Sequence, residues 1–412
     1  MHQMNKFNIL LLLVFLTFTL KAQSLENEGE VLLKSPTYTH ASTDVLGNYV
    51  IVFQTSKQLE FSFFDSLYKK TRDIVITIPT YIKKDEIIGI QLQGDSCSTY
   101  FMNEYTKIIT EINISRLDGF SSKRIIGQLA FTENYLKCVY VSNAFYILTA
   151  TYAKSQIDIH KIHEGGLMHT TYQFDMPDLY KRLSTGNHQL NEDPSVMLGI
   201  DLVNYGIENN VKSARSTKKL YAFGNSIYFV FDDADYSHII HFDLEKNKAS
   251  YKKFQFSLEK GNGNSKKQGN SFLQNETLFR VTLNSEQLAF TIIDINEHVS
   301  HAIFYATPHN LIYFKNGPII QENADDKERV IDDSKDFFEK MSKLNISIAA
   351  NKRDSSYVVE MGSYDETIAT YQNNNSNVSK PTFSIGVGMG VGVGTGMGMG
   401  MESMHNSIPT EP

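Results

Sequence analysis

From about Glu30 to about Tyr305 the chain alternates short apolar and aromatic runs with polar turn formers. The pattern is plainest between Leu220 and Phe256. Leu220-Tyr221-Ala222-Phe223 predicts a strand, Gly224-Asn225-Ser226 a turn, and Ile227-Tyr228-Phe229-Val230-Phe231 a second strand. Asp232-Asp233-Ala234-Asp235 turns the chain again. Ile239-Ile240-His241-Phe242-Asp243 makes a third strand and Tyr251-Lys252-Lys253-Phe254-Gln255-Phe256 a fourth, with a turn at Glu245-Lys246-Asn247-Lys248 between them. Aromatic and β-branched side chains suit a pleated backbone, and Gly, Asn and Asp accept hairpin dihedrals, so the segment reads as four antiparallel strands.

The same grammar recurs along the chain. Second strands are expected at Tyr49–Phe53, Thr99–Met102, Phe145–Leu148, Ile227–Phe231 and Leu278–Val281, with starts separated by 50, 46, 82 and 51 residues. Apart from the long gap, these separations match the roughly 40–50-residue repeat of a propeller blade. The gap holds Asp178–Ser216, which lacks the alternation but contains Asp178-Leu179-Tyr180-Lys181-Arg182-Leu183 and an apolar Met197–Val203 cluster. It predicts an insert with some helix. After Tyr305, strands are expected at Leu311–Phe314, Pro318–Ile320, Ile346–Ala349 and Tyr357–Met361, with an acidic loop over Asn323–Asp333. Ser334–Met341 predicts a short amphipathic helix capped by Ser or Asp. Together these make a sixth, degenerate blade, completed by the N-terminal Val31-Leu32-Leu33 run.

The four-strand grouping resembles β-propellers in general over about residues 30–365. The resemblance implies an all-β, β-propeller-like fold of about six blades around an axis. With no Trp there is no Trp-Asp repeat, and no double glycine recurs at kelch spacing, so no particular propeller family is matched. One or two β-sandwiches, which also space short strands evenly, are the alternative.

The first 22 residues follow another rule. Lys6 supplies positive charge, Ile9–Leu16 begins an apolar stretch running to Leu20, and Leu20-Lys21-Ala22 sets a small residue before Gln23. This is the pattern of a secretory signal peptide and resembles those of double-membraned bacteria, which implies a periplasmic or external address. No cysteine follows the cleavage point to carry a lipid. No later apolar run approaches the ~18 residues of a spanning helix. The expected organisation is a signal peptide at 1–22, a propeller-like domain at 23–372 with its insert at 178–216, and a low-complexity tail at 373–412. In the tail glycine holds every even position from Gly386 to Gly400. Eight glycines, each about 1 kcal/mol worse than alanine, exclude a helix. Their entropy also works against a fixed ribbon, so a disordered Gly/Met-rich tail is expected.

A hydrophobic fraction of 41% excludes general disorder. The formal charge is −7; removing the first 22 residues takes away Lys6 and Lys21 and no acid, leaving 37 basic against 46 acidic residues, or −9. With no basic block, nucleic acid is not an expected partner.

Candidate chemistry is sparse. Cys97 and Cys138 are too few for a disulfide scaffold or a four-ligand zinc site; outside the cytoplasm they could pair with each other or stay as buried thiols. His160 and His163, His238 and His241, and His298 and His301 repeat a spacing of three. That spacing shares a face on a helix but sends strand side chains to opposite faces, so these pairs, and His169, read as structural. Asp232, Asp233 and Asp235 lack the spacing, glycine and distal glutamate of a calcium loop and read as a hairpin turn. No nucleophile elbow, zinc-protease helix motif or phosphate loop occurs. The tail gathers Met397, Met399, Met401, Met404 and His405, whose thioethers and imidazole suit Cu(I). These features favour an exported binding or scaffold module of the cell envelope with a protein or glycan partner and no identified cofactor. The alternative is a propeller-based hydrolase or lyase using carboxylates in a central channel. A binding role implies an apolar or aromatic patch on the rim that bears the insert.

Overall fold

The computed structural model describes residues 32, 36, 38–82, 85–151, 154–163, 166–176, 179–184, 200–203, 208–258, 267–322, 328–353, 356–366 and 384–393. The expected signal peptide, Met397–His405 and much of the insert lie outside the described residues. The chain divides into two compact units, residues 1–131 with 162–167 and residues 132–161 with 168–412.

The first unit holds two four-stranded antiparallel meanders. Strands β1 (Tyr38–Thr43), β2 (Tyr49–Gln54), β3 (Gln58–Phe64) and β4 (Lys70–Thr77) pair in chain order. So do β5 (Glu86–Gln93), β6 (Ser96–Met102), β7 (Ile108–Ser115) and β8 (Ser121–Gln128). Two of the hairpins close with one device: Asp44 Oδ1 accepts from the N–H of Leu46 and Asn48, and Asp65 Oδ1 from that of Leu67 and Lys69. A short acceptor side chain thus stands in for a turn carbonyl. Val52, Phe61 and Phe63 of the first sheet pack with Leu92, Phe101 and Ile112 of the second.

Strands β9 (Glu133–Val141), β10 (Ala144–Thr151), β11 (Gln156–His163) and β12 (Gly166–Gln173) form the next meander, which belongs to the second unit except for residues 162–167 at the β11–β12 end. The insert contributes helix α1 (Leu179–Ser184), which buries Leu179 and Leu183, and Lys218 Nζ donates to the Leu183 carbonyl at 2.6 Å. Strand β13 (Asp201–Val203) then pairs in parallel with β14 (Lys218–Phe223), Leu202 opposite Leu220. Alternation alone gave no sign of this fifth strand. The sheet continues through β15 (Ser226–Asp232), β16 (Tyr236–Asp243) and β17 (Lys248–Gln255). Another meander follows: β18 (Gln268–Gln274), β19 (Thr277–Leu283), β20 (Leu288–Asp294) and β21 (Val299–Ala306).

Successive strand residues point to opposite faces, so an unbroken apolar run needs cover on both. On β15, Ile227, Phe229 and Phe231 enter a core shared with Leu136, Leu148 and Ile157. Tyr228 and Val230 enter another, shared with Phe272, Phe279 and Phe290. The β13–β17 sheet is therefore packed between two others. The fold is all-β and β-propeller-like, and within each unit successive, mostly antiparallel sheets share cores face to face.

The last sheet departs from expectation. It contains β22 (Ile319–Glu322), β23 (Glu328–Ile331), β24 (Asn345–Arg353), β25 (Ser356–Glu366) and β26 (Ser384–Val393), ordered β23-β22-β26-β25-β24. Helix α2 (Ser334–Met341) forms as predicted; Asp333 caps it by accepting from the Lys335 N–H, and Phe337, Phe338 and Met341 are buried. The acidic segment expected to be loop supplies β23, which pairs with β22 from Ile319 opposite Ile331 to Glu322 opposite Glu328. Leu311–Phe314, expected as a strand, is turn and coil; Phe314 is held by the rings of Phe290 and Phe304 instead of a ladder.

The glycine tract is the larger correction. Residues 384–393 are not disordered but form a central strand, with Val387 opposite Ser363 and Gln321, and Gly388 opposite Gly362 and Ile320. A central strand satisfies backbone groups along both edges, which offsets the freedom its glycines lose. This strand supplies the middle of the sheet, and Leu32, the one described residue of the Val31-Leu32-Leu33 run, donates its N–H to Glu60 on β3. Residues 373–383 and 394–412 lie outside the described residues. Among the described residues no helix is long and apolar enough to cross a membrane.

Candidate functional site

The β9–β12 sheet separates its chemistry by face. Leu148, Ala150, Ile157, Ile159 and Tyr172 point into a core. Their strand neighbours Thr149, Thr151, Asp158, His160 and Thr171 therefore point the other way. Thr149 lies opposite Asp158, and Thr151 opposite Glu133. Strand β11 ends at His163 and β12 begins at Gly166, so counting back from the hairpin sets His160 across from His169 and Asp158 across from Thr171. The contacts agree. The two imidazoles stack with centroids 4.8 Å apart, and Thr171 Oγ1 donates to Asp158 Oδ1 at 2.5 Å.

Glu133, Thr149, Asp158 and His160 are buried, whereas the His169 side chain is 49% exposed and gives the cluster its access to solvent. His160 Nε2 stands 2.6 Å from Glu133 Oε2, and Thr149 Oγ1 donates to the same oxygen at 2.9 Å. His169 Nε2 is 3.0 Å from Asp158 Oδ1, while Gln156 Nε2 donates to Asp158 Oδ2 at 2.9 Å. Burial pushes the Glu133 carboxyl upward, but the hydrogen bond and charge of His160 and the Thr149 hydroxyl outweigh it and hold the group below its ordinary range. At Asp158 burial is likewise outweighed, by the bonds from Thr171, Gln156 and His169. Both groups are carboxylates at neutral pH, suited to neutralising a cation and not to donating a proton. One oxygen of Glu133 and one nitrogen each of His160 and His169 lie within 4.8 Å of one another.

A second polar cluster sits on β14–β19. His238 Nδ1 is 2.8 Å from the Tyr251 hydroxyl, and its Nε2 is 3.4 Å from Asp233 Oδ2, which Arg182 of α1 approaches to 3.3 Å. Deeper, Arg280 meets Asp232, and Lys219 Nζ donates to Asn270 Oδ1 at 2.6 Å and the Ser271 carbonyl at 2.8 Å. Asp233 makes the expected turn by accepting from the N–H of Asp235 and Tyr236. Asp232 was read as part of the same turn and serves instead as the partner of a buried arginine.

The remaining sequence candidates are dispersed. His163 is exposed, and His241 turns away from His238 to stack on Tyr228 at 4.3 Å. His298 stacks on Phe254 at 5.0 Å. Cys97 and Cys138 form no bridge here and both are thiols. Cys97 is locked in the first unit's core, opposite Leu92 and Ile114. Burial pushes the Cys97 thiol up to about 12 and that of Cys138 up to about 11. Met397, Met399, Met401, Met404 and His405 lie outside the described residues.

An apolar patch lies in the first unit. Turns after the first and third strands of a meander fall at one end of the sheet, and links to the next sheet leave from the other. In β1–β8 the former turns carry Val45 (78% exposed), Leu46, Leu67 (84%), Tyr68, Leu117 (69%) and Phe120 (68%). Arg72 of β4 donates to the Arg116 and Leu117 carbonyls and so ties the β7–β8 turn to the first sheet. These turns follow first and third strands, whereas the insert follows a fourth strand, β12.

No protein-family model matches the chain, and no curated protein matches it. Weak likenesses to solved structures include the WD40 domain of SCAP from fission yeast, at 12% identity over 86% of this chain and 75% of that one, with a TM-score of 0.31. The Nup133 β-propeller domain of Vanderwaltozyma polyspora gives 12% identity over 80% and 81%, with a TM-score of 0.31. An ACO/RPE65 chimera gives 9% identity and a TM-score of 0.35, over 68% of this chain; the chain spans 62% of that protein's length. Likenesses of this grade transfer no function, and the fold stands on the chain's own strand order.

Proposed function

We propose that the chain is an exported binding module of the bacterial cell envelope that holds a protein partner on the apolar turns of its first unit. The supporting observation is the exposure of Val45, Leu46, Leu67, Tyr68, Leu117 and Phe120 on hairpin tips at one end of β1–β8. Turn tips are ordinarily polar. Large apolar side chains on turns already fixed by Asp44 and Asp65 can bury area against a partner with little ordering cost. Export rests on the Lys6-to-Ala22 pattern. A charge of −9 without that segment disfavours an anionic polymer as the ligand. The hydrolase alternative gains nothing from Glu133 and Asp158, because a general acid needs a carboxyl raised toward neutrality and these are lowered.

The test compares full-length wild type with Leu67→Asp/Leu117→Asp in native cells. The wild type is expected to retain a protein that the variant loses at unchanged melting temperature, with amides of the β3–β4 and β7–β8 turns protected in the complex. Equal retention by both chains would overturn the surface assignment. The exported chain is expected to begin at Gln23 by mass spectrometry, and an intact Met1 on it would overturn export by cleavage.

A further inference from the structure

We propose that Glu133, His160 and His169 bind one divalent transition-metal ion, Zn(II) foremost. Two imidazole nitrogens and one carboxylate oxygen form a donor set of the kind zinc takes, with a fourth position left for water. The donors already lie within 4.8 Å of one another and come from three strands of one sheet, β9, β11 and β12. The backbone therefore fixes their origins, and rotation of side chains alone closes the distance to metal bonds of about 2.0–2.2 Å.

The surroundings supply what such a site needs. Asp158 sits 3.0 Å from His169 Nε2 and is itself held by Thr171 and Gln156, and Thr149 orients Glu133. Carboxylate and hydroxyl partners of this sort fix the rings and oxygens that ligate metals. Glu133 and Asp158 also repel one another electrostatically inside a buried cluster, and a cation relieves that repulsion. The half-exposed His169 provides the entrance. On binding, the ion takes the place of the hydrogen between His160 Nε2 and Glu133 Oε2, and His160 ligates as a neutral imidazole with its hydrogen on Nδ1. Hydrogen bonding alone accounts for His160 with Glu133, but not for a second imidazole stacked on the first with its own carboxylate behind it.

Titration of the metal-stripped full-length chain with Zn(II), followed by calorimetry, tests the assignment. Thioethers such as those of the tail prefer soft Cu(I), so a Zn(II) signal separates the two sets of donors. One ion per chain is expected, with a rise in melting temperature. His169→Ala, at a half-exposed position, is expected to fold normally, to weaken binding by more than about tenfold and to cancel the thermal shift. Glu133→Gln should weaken it too, whereas His301→Ala should change nothing. Co(II) should give a visible d–d spectrum with the wild type and lose it with His169→Ala. Absence of Zn(II) binding by the wild type, or undiminished binding by both His169→Ala and His160→Ala, would overturn the site.

Discussion

The guanidinium of Arg280 and the carboxylate of Asp232 are both wholly buried and 2.9 Å apart. Arg280 also donates to Ser237 Oγ at 2.7 Å and the Asp233 carbonyl at 2.7 Å, and Ser271 donates N–H and Oγ to Asp232. Gly269 makes room, since a Cβ there would run into the guanidinium. Removing one member of such a pair strands the other charge, so Arg280→Met is expected to cost about 3–5 kcal/mol in urea unfolding. Adding Asp232→Asn should recover part of that loss, because it removes the stranded charge. A single-variant cost below about 1 kcal/mol would contradict the role given to the pair.

Stability should fall as pH drops from about 7 to 5. Burial lowers the basicity of His238, against the raising influence of its Asp233 hydrogen bond. His40 and His241 are lowered by burial as well. With folded values below the unfolded one, the unfolded chain takes up protons first. Stability is therefore full above about 6.5 and is lost as pH falls through that value toward the folded ones. The depressed carboxylates Glu133, Asp158 and Asp233 add a separate loss only below about 4. Melting temperatures at constant ionic strength should show two steps, the first of them flattened by His238→Gln. A level profile between pH 7 and 5 would contradict this.

Neither thiol should be reactive in the folded protein. With values pushed up to about 12 and about 11, Cys97 and Cys138 carry almost no thiolate at pH 8. A colorimetric disulfide reagent should label the native chain slowly and count two thiols after denaturation. Fast native labelling would contradict the raised thiols, and no thiol after denaturation without reductant would contradict the reduced state.

Removing β26 should loosen its neighbours selectively. Truncation before Ser384 leaves β22–β23 and β24–β25 as separate hairpins. Gly388→Pro should act similarly, because proline cannot donate to a central ladder. Hydrogen exchange is expected to quicken at Ile319–Glu322 and Ser356–Glu366 and to stay unchanged in β1–β8. Unchanged exchange at all of these sites would remove β26 from the sheet.

The strand rhythm was legible because it is local: Ile227-Tyr228-Phe229-Val230-Phe231 announces a strand covered on both faces, and Gly224-Asn225 announces the turn before it. The His160–His169 cluster was missed because histidines were paired within strands. The signal lay across the hairpin, where His160 and His169 stand three residues before His163 and three after Gly166, the ends of the two strands. Glu133 was less accessible still, since its position opposite Thr151 follows a register shift near Leu148 and Thr149 that no local rule yields. Arg280 and Asp232, 48 residues apart, show only as polar interruptions of apolar runs. The glycine tract was judged by its own entropy, without the two open strand edges that receive it.

Synthesis runs from N- to C-terminus, yet β26, made after the four strands it joins, occupies the middle of their sheet. While the ribosome still holds the tail, β22 and β25 wait with bare edges, and those edges are open to foreign strands and to proteases. The earlier meanders need nothing downstream for their own ladders. A chain broken off before Ser384 would therefore carry intact early sheets and a permanently unfinished last one. The edges of β22 and β25 are covered only in molecules whose synthesis has passed the glycine strand.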